Sequence, residues 1–128
     1  MHTPITAFYA ALLGIFFFYL TVLVIHGRFT KKIPLGDNGD KHFRQLVRAH
    51  GNFAEYAPLI LVLMLIAEIN KSEPMWLHIA GASLLFGRVV HSFGLRRHAG
   101  TSWQRATGMM LTFVALIEMA ILNLLVLY

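Results

Sequence analysis

The sequence predicts an all-α membrane protein, an antiparallel bundle of four transmembrane helices, and three observations carry the prediction. Of the 128 positions 57% are hydrophobic and only 13% charged, and the mean hydropathy is +0.63, a balance outside that of soluble globular domains. The apolar residues fall into runs long enough to cross a bilayer. The basic residues gather in two of the three connections between those runs.

The first run, Pro4 to Ile25, is 22 uncharged positions. At about 1.5 Å per residue it matches a hydrocarbon core of ~30 Å. No Lys or Arg precedes it, it is longer than a signal-peptide core, and no small-residue cleavage site follows, so it is expected to be retained. The segment Gly27 to Lys41, with Pro34, Gly36, Asn38 and Gly39, reads as a loop, and Asp40 can cap the next helix. That second helix is expected from about Lys41 to Asn70, with its apolar section from Tyr56 to Ala67 and a proline, Pro58, that membrane helices tolerate and that can kink it. Ser72 then offers a cap and Pro74 a first-turn residue for a third helix reaching about Leu95. After the turn Gly94 to Gly100, Thr101 stands three residues before Gln104 in a capping-box pattern, and Ala106 to Tyr128 forms the fourth span.

Short connections make successive helices antiparallel neighbours. No repeat or second-domain boundary is evident, so residues 1–128 are read as one domain. Arg28, Lys31, Lys32, Lys41, Arg44, Arg48, Arg88, Arg96, Arg97 and Arg105 lie on one side, against Lys71 alone on the other. By the positive-inside rule the basic connections face the cytoplasm and both termini face away from it. The start of helix two and the end of helix three then share one membrane depth.

Composition also excludes chemistry. With no cysteine, disulfides, iron–sulfur ligation and a protein thiol nucleophile are ruled out, and any sulfur nucleophile must come from outside. The net charge of +5 sits beside apolar spans, where it reads as topology and attraction to anionic lipid rather than as a nucleic-acid surface. Histidines 2, 26, 42, 78 and 98 show no metal spacing, and no metal site is expected.

The polar residues that enter the second apolar run are different. Arg48, Asn52 and Glu55 stand at i, i+4 and i+7 in RAHGNFAEYAPL and share one helix face. Interhelical glue is one reading, at ~0.6 kcal/mol per contact. The other is a site, because ionisable groups in spans usually face the bundle interior. Arg88 and His91, one turn apart on helix three, lie opposite the stripe at the same depth and favour the site. Several cations, one carboxylate, an amide and an imidazole suit a small zwitterion with surplus negative charge, since arginine forks bind carboxylates and Glu55 can take an ammonium. Glutathione has that character. Glu118, midway along span four, reads as an interhelical hydrogen-bonder, with a proton path as the alternative. Phe16, Phe17, Phe18, Trp76 and Trp103 read as lipid-facing, packing or interface aromatics.

RAHGNFAEYAPL and GRVVHSFG, Gly87 to Gly94, resemble the second- and third-helix signatures of the MAPEG family, the membrane-associated proteins of eicosanoid and glutathione metabolism. The likeness covers nearly the whole chain and is strongest toward the prostaglandin E synthase branch for helix three. It implies a homotrimer with glutathione sites between adjacent subunits, open to the cytoplasm, and lipophilic second substrates arriving from the bilayer. Carried over, Arg48, His50, Asn52, Glu55 and Tyr56 match glutathione-site positions of helix two, and Arg88 and His91 those of helix three. Arg28 matches the arginine from helix one, with Lys31 or Lys32 able to substitute. Leu95 stands where that branch has tyrosine and Ala106 where it has serine, so prostaglandin isomerisation is not implied.

The implied activity is that of a glutathione-dependent transferase, a lipid-hydroperoxide peroxidase, or both. A thiol of pKa about 8.5 needs a nearby cation to ionise near neutrality, at ~1.4 kcal/mol per unit of lowering. Arg105 is the first candidate for that electrostatic role and Arg96 the second, with Arg97 also in reach of the alignment. A small proton-coupled transporter using Glu55 and His91, and a non-catalytic membrane interaction protein, are the rival readings.

Overall fold

Prolines open two of the helices, where a missing N–H costs nothing, and a left-handed residue or a short polar link closes each of the first three runs. The computed structural model describes residues 2–126 and contains α1 (Pro4–Lys31), α2 (Lys41–Ile69), α3 (Pro74–Arg97) and α4 (Trp103–Leu125). The last two positions of the expected fourth span, Leu127 and Tyr128, lie outside the described residues.

Helix ends differ from the sequence reading for local reasons. The expected loop from Gly27 shrinks to residues 32–40, because α1 continues to Lys31. Arg28 and Lys31 in its last turn complement the carbonyl end of the helix dipole. Lys32, at φ 54°, then ends the helix and returns its N–H to the Arg28 carbonyl. Asp40 caps α2 as expected, accepting from the Phe43 N–H at 2.9 Å. Ser72 does not cap α3, whose N-cap residue is Glu73 without a side-chain bond. The cap of α4 is Ser102 rather than Thr101, and its hydroxyl accepts from the Arg105 N–H at 3.3 Å. Helix α2 runs unbroken through Pro58.

Helices α2 and α3 form the centre: α1 and α4 each pack on both of them and not on each other. The closest seam is between α3 and α4, where glycine removes the side chains that would hold backbones apart. A Cβ at Gly108 would lie 2.5 Å from His91 Cβ and 2.6 Å from the Gly87 carbonyl oxygen. On the other side of α3, Gly81 leaves room for the Tyr9 ring of α1. Between them runs a core including Leu13, Leu20, Phe53, Ile60, Met64, Leu84 and Met119.

Among the described residues three helices, α1, α2 and α4, are long and apolar enough to cross a membrane. By composition α3 falls short, for a reason visible in its packing: Arg88, His91 and Ser92 are buried within the bundle, while Ile79, Phe86 and Phe93, at successive intervals of seven, form its exposed side. The outer surface as a whole is apolar, with Phe8, Ile15, Phe18, Leu59, Val62, Val114 and Ile117 exposed.

Away from the basic end, polar contacts tie the helices together. Thr3 provides no side-chain cap for α1. The Glu68 carboxylate, from the last turn of α2, instead accepts from the Ile5 and Thr6 N–H groups at 2.9 and 2.7 Å. The Tyr9 hydroxyl lies 3.2 Å from both the Nδ1 and the carbonyl oxygen of His78. Asn123 donates to the Leu63 carbonyl at 2.9 Å. The interhelical bond expected of Glu118 is not made within the chain: both carboxyl oxygens are shielded from solvent and without a partner among the described residues. Its neighbours, Trp76, Phe113, Ile117 and Ile121, are apolar.

Candidate functional site

At the basic end, α2, α3 and α4 enclose a cavity of about 470 Å³ lined by Lys41, Arg44, Gln45, Arg48, Asn52, His91, Leu95, Ala99 and Arg105. The helical repeat puts its α2 residues on one face: 41, 45, 48 and 52 are spaced by four, three and four. The α3–α4 glycine seam brings His91 against α4. His91 is only 3% exposed, and its Nδ1 is buried without a hydrogen-bond partner among the described residues.

The cations are held in different ways. Arg48 forms a fork with Glu55, at 3.2 and 3.4 Å, and both side chains are half-exposed, so the pair is held weakly. Arg44 grips Asp37 of the loop at 2.5 and 3.3 Å, which with the Gly39 N–H holds that carboxyl below the usual range. Asp40 is likewise lowered by Lys31 and by the Phe43 N–H. Arg105 gives one nitrogen to the Ala99 and Gly100 carbonyls at 3.2 and 2.5 Å, which fixes the α3–α4 turn and leaves its other N–H groups available. Among the described residues no acid lines the cavity wall. The arrangement therefore suits an anion or an acid-rich zwitterion.

A model of the MAPEG family matches residues 6–125. The chain belongs to the MAPEG family. It is 36% identical over 120 residues to the inner membrane protein YecN of Escherichia coli K12, an alignment spanning 94% of this chain and 90% of that protein. YecN of Escherichia coli O6:H1 matches to the same extent. The four-helix architecture and the apolar exterior are those of a MAPEG membrane protein, in a family that includes glutathione transferases and peroxidases.

Within one MAPEG chain, Arg48, Asn52, His91 and Arg105 of the sequence-derived set meet at the cavity, with Glu55 beside it through Arg48. Arg88 and Tyr56 lie one layer behind: Arg88 is wholly buried, and the Tyr56 ring centre is 5.5 Å from its guanidinium carbon. Three groups of residues lie elsewhere. His50 stacks on Phe17 and lies 3.1 Å from the Thr21 hydroxyl, in the α1–α2 interface. Arg28 donates to the Ile33 and Gly36 carbonyls and covers the Phe43 ring, beside a separate groove with Ile25, Phe29 and Lys32. Arg96 reaches back to the Tyr19 hydroxyl of α1 at 3.2 Å, and Arg97 lies over Phe93. Sequence reasoning passed over Lys41, Arg44 and Gln45, although extending the Arg48–Asn52 face toward the start of α2 reaches all three.

Proposed function

We propose that the protein is a glutathione-dependent membrane transferase or lipid-hydroperoxide peroxidase, working as a homotrimer whose sites open to the cytoplasm while both termini face away. The observation that carries this reading is the basic cavity itself, where Arg48, Asn52, His91 and Arg105 converge from three helices. Glutathione, with two carboxylates and one ammonium, matches its surplus of positive charge. The loosely held Arg48–Glu55 pair supports the fit.

Each residue then has a role that its chemistry permits. The Arg48–Glu55 pair is complementary to an α-amino-acid end, Arg48 taking the carboxylate and Glu55 the ammonium in place of each other. Lys41 and Arg44, exposed residues of the cavity lining, attract the second carboxylate. Arg105 has free N–H groups but cannot accept a proton, so it stabilises the thiolate while the proton passes to solvent. In transfer, the sulfur electron pair forms a bond to an electrophilic carbon and the leaving group departs with its own pair. In hydroperoxide reduction, one thiol attacks the terminal oxygen and a second glutathione completes the disulfide, giving an alcohol and water. The apolar exterior supports entry of a lipophilic partner from the bilayer.

The test is a near-ultraviolet titration of purified protein with glutathione, followed by the thiolate absorption band. Wild type is expected to show a saturable band that Arg105→Ala abolishes and Arg96→Ala preserves. Absence of any band or binding in wild type would refute the reading.

A further inference from the structure

Arg88 is fully buried, and no carboxylate pairs with it among the described residues. Its Nε donates to Thr112 Oγ1 at 3.0 Å, one terminal nitrogen donates to Met109 Sδ at 3.3 Å, and the other meets the side-chain oxygen of Asn52. Thr112 passes its own hydrogen to the Gly108 carbonyl at 2.8 Å, so its oxygen faces Arg88 as an acceptor. A guanidinium has donors only. The Asn52 atom that faces it must therefore be the carbonyl oxygen, an assignment that the heavy-atom shape of an amide does not make by itself. Asn52 lines the cavity and Arg88 does not.

We infer that Arg88 is a positioning residue: it fixes the Asn52 amide with its NH₂ toward the cavity, so that this part of the wall takes an oxygen acceptor, a carboxylate or a peptide carbonyl. Position 52 thereby disfavours a ligand ammonium or amide N–H, which must find its partner elsewhere. This inference rests on the reading of the cavity as a glutathione site, and it moves Arg88 from direct ligand contact to the layer that orients the contact. The neighbouring wall agrees with it. The Gln45 NH₂ is turned away, donating to the Leu95 carbonyl at 3.1 Å, which leaves Asn52 as the amide donor among the cationic side chains.

Two variants and two readouts test it. The substitution Asn52→Asp keeps an acceptor for Arg88 while replacing the donor by an anionic oxygen, so this variant is expected to keep its thermal midpoint and lose glutathione affinity about tenfold or more. Arg88→Met removes the buried charge and frees the amide, with an expected loss of about threefold to tenfold. Independently of ligand, the ¹⁵N side-chain amide signal of Asn52, assigned by its loss in Asn52→Asp, is expected to move in Arg88→Met toward those of exposed Asn38 and Asn70. An unmoved signal, or glutathione binding by Asn52→Asp at wild-type strength, would overturn the inference. A signal that moves in a protein whose wild type binds no glutathione would support the orientation and remove the glutathione reading.

Discussion

Alanine at position 108 places a methyl carbon 2.5 Å from His91 Cβ, 2.6 Å from the Gly87 carbonyl oxygen and 2.7 Å from the His91 backbone nitrogen. Carbon atoms pack best at about 3.5–4.0 Å, so α3 and α4 must separate by roughly 1 Å at this point. Two of the three contacts are backbone atoms, and no side-chain rotation relieves them. Overpacking of this kind costs about 1–3 kcal/mol, against which alanine recovers about 0.5–1 kcal/mol of helix propensity over glycine. The expected net loss for Gly108→Ala is about 1 kcal/mol, within a span of about 0–2.5 kcal/mol. The same substitution at Gly14, where a Cβ meets nothing within 4 Å, carries the propensity gain alone and is the internal control. Both variants are to be unfolded by detergent titration, followed by circular dichroism, and titrated with glutathione. Because the displaced seam carries His91 into the cavity wall, Gly108→Ala should also weaken binding, whereas Gly14→Ala should not. Equal stability and equal affinity in the two variants would refute the close-seam argument.

Three further outcomes are expected. Glu68→Ala removes both acceptors from the first turn of α1 and should cost about 1–2 kcal/mol in the same unfolding assay, with Glu68→Gln between it and wild type. Asp37 and Asp40 have lowered pKa values in the folded chain, so the loop restraint they provide is fully present above the ordinary carboxylate value of 3.8 and is lost as pH falls through their lower folded values. Amide exchange at Gly39 and Phe43, relative to intrinsic rates, should lose protection on acidification, and unchanged protection would contradict the assignment. Glu118→Leu replaces an unpartnered shielded carboxyl among apolar neighbours and should raise the unfolding midpoint; a lower midpoint would show that Glu118 has a partner outside its own chain.

The four helices were legible because long uncharged runs and polar interruptions leave few alternatives. Helix ends were less so, since Ser102 and Thr101 are adjacent hydroxyls with equal capping chemistry, and backbone geometry chooses between them. The Arg48–Asn52–Glu55 face was legible from spacing. That spacing also sets His50 two residues from both Arg48 and Asn52, on the far side of the helix, and the structure places it against α1. The layering of Arg88 behind Asn52 was not legible, because periodicity gives a residue's face but not which of two facing polar groups reaches the cavity. The Glu68 bond to α1 joins residues more than 60 positions apart, and no local pattern announces it.

That distant bond bears on how the protein is made. The leading span emerges without the carboxylate that accepts from its opening amides, a loss of about 1–2 kcal/mol in capping. Their acceptor is synthesised only when the ribosome has completed the returning arm of the hairpin. The two segments therefore gain their full stability jointly, and a translation product ending ahead of residue 68 holds a first helix with a frayed start.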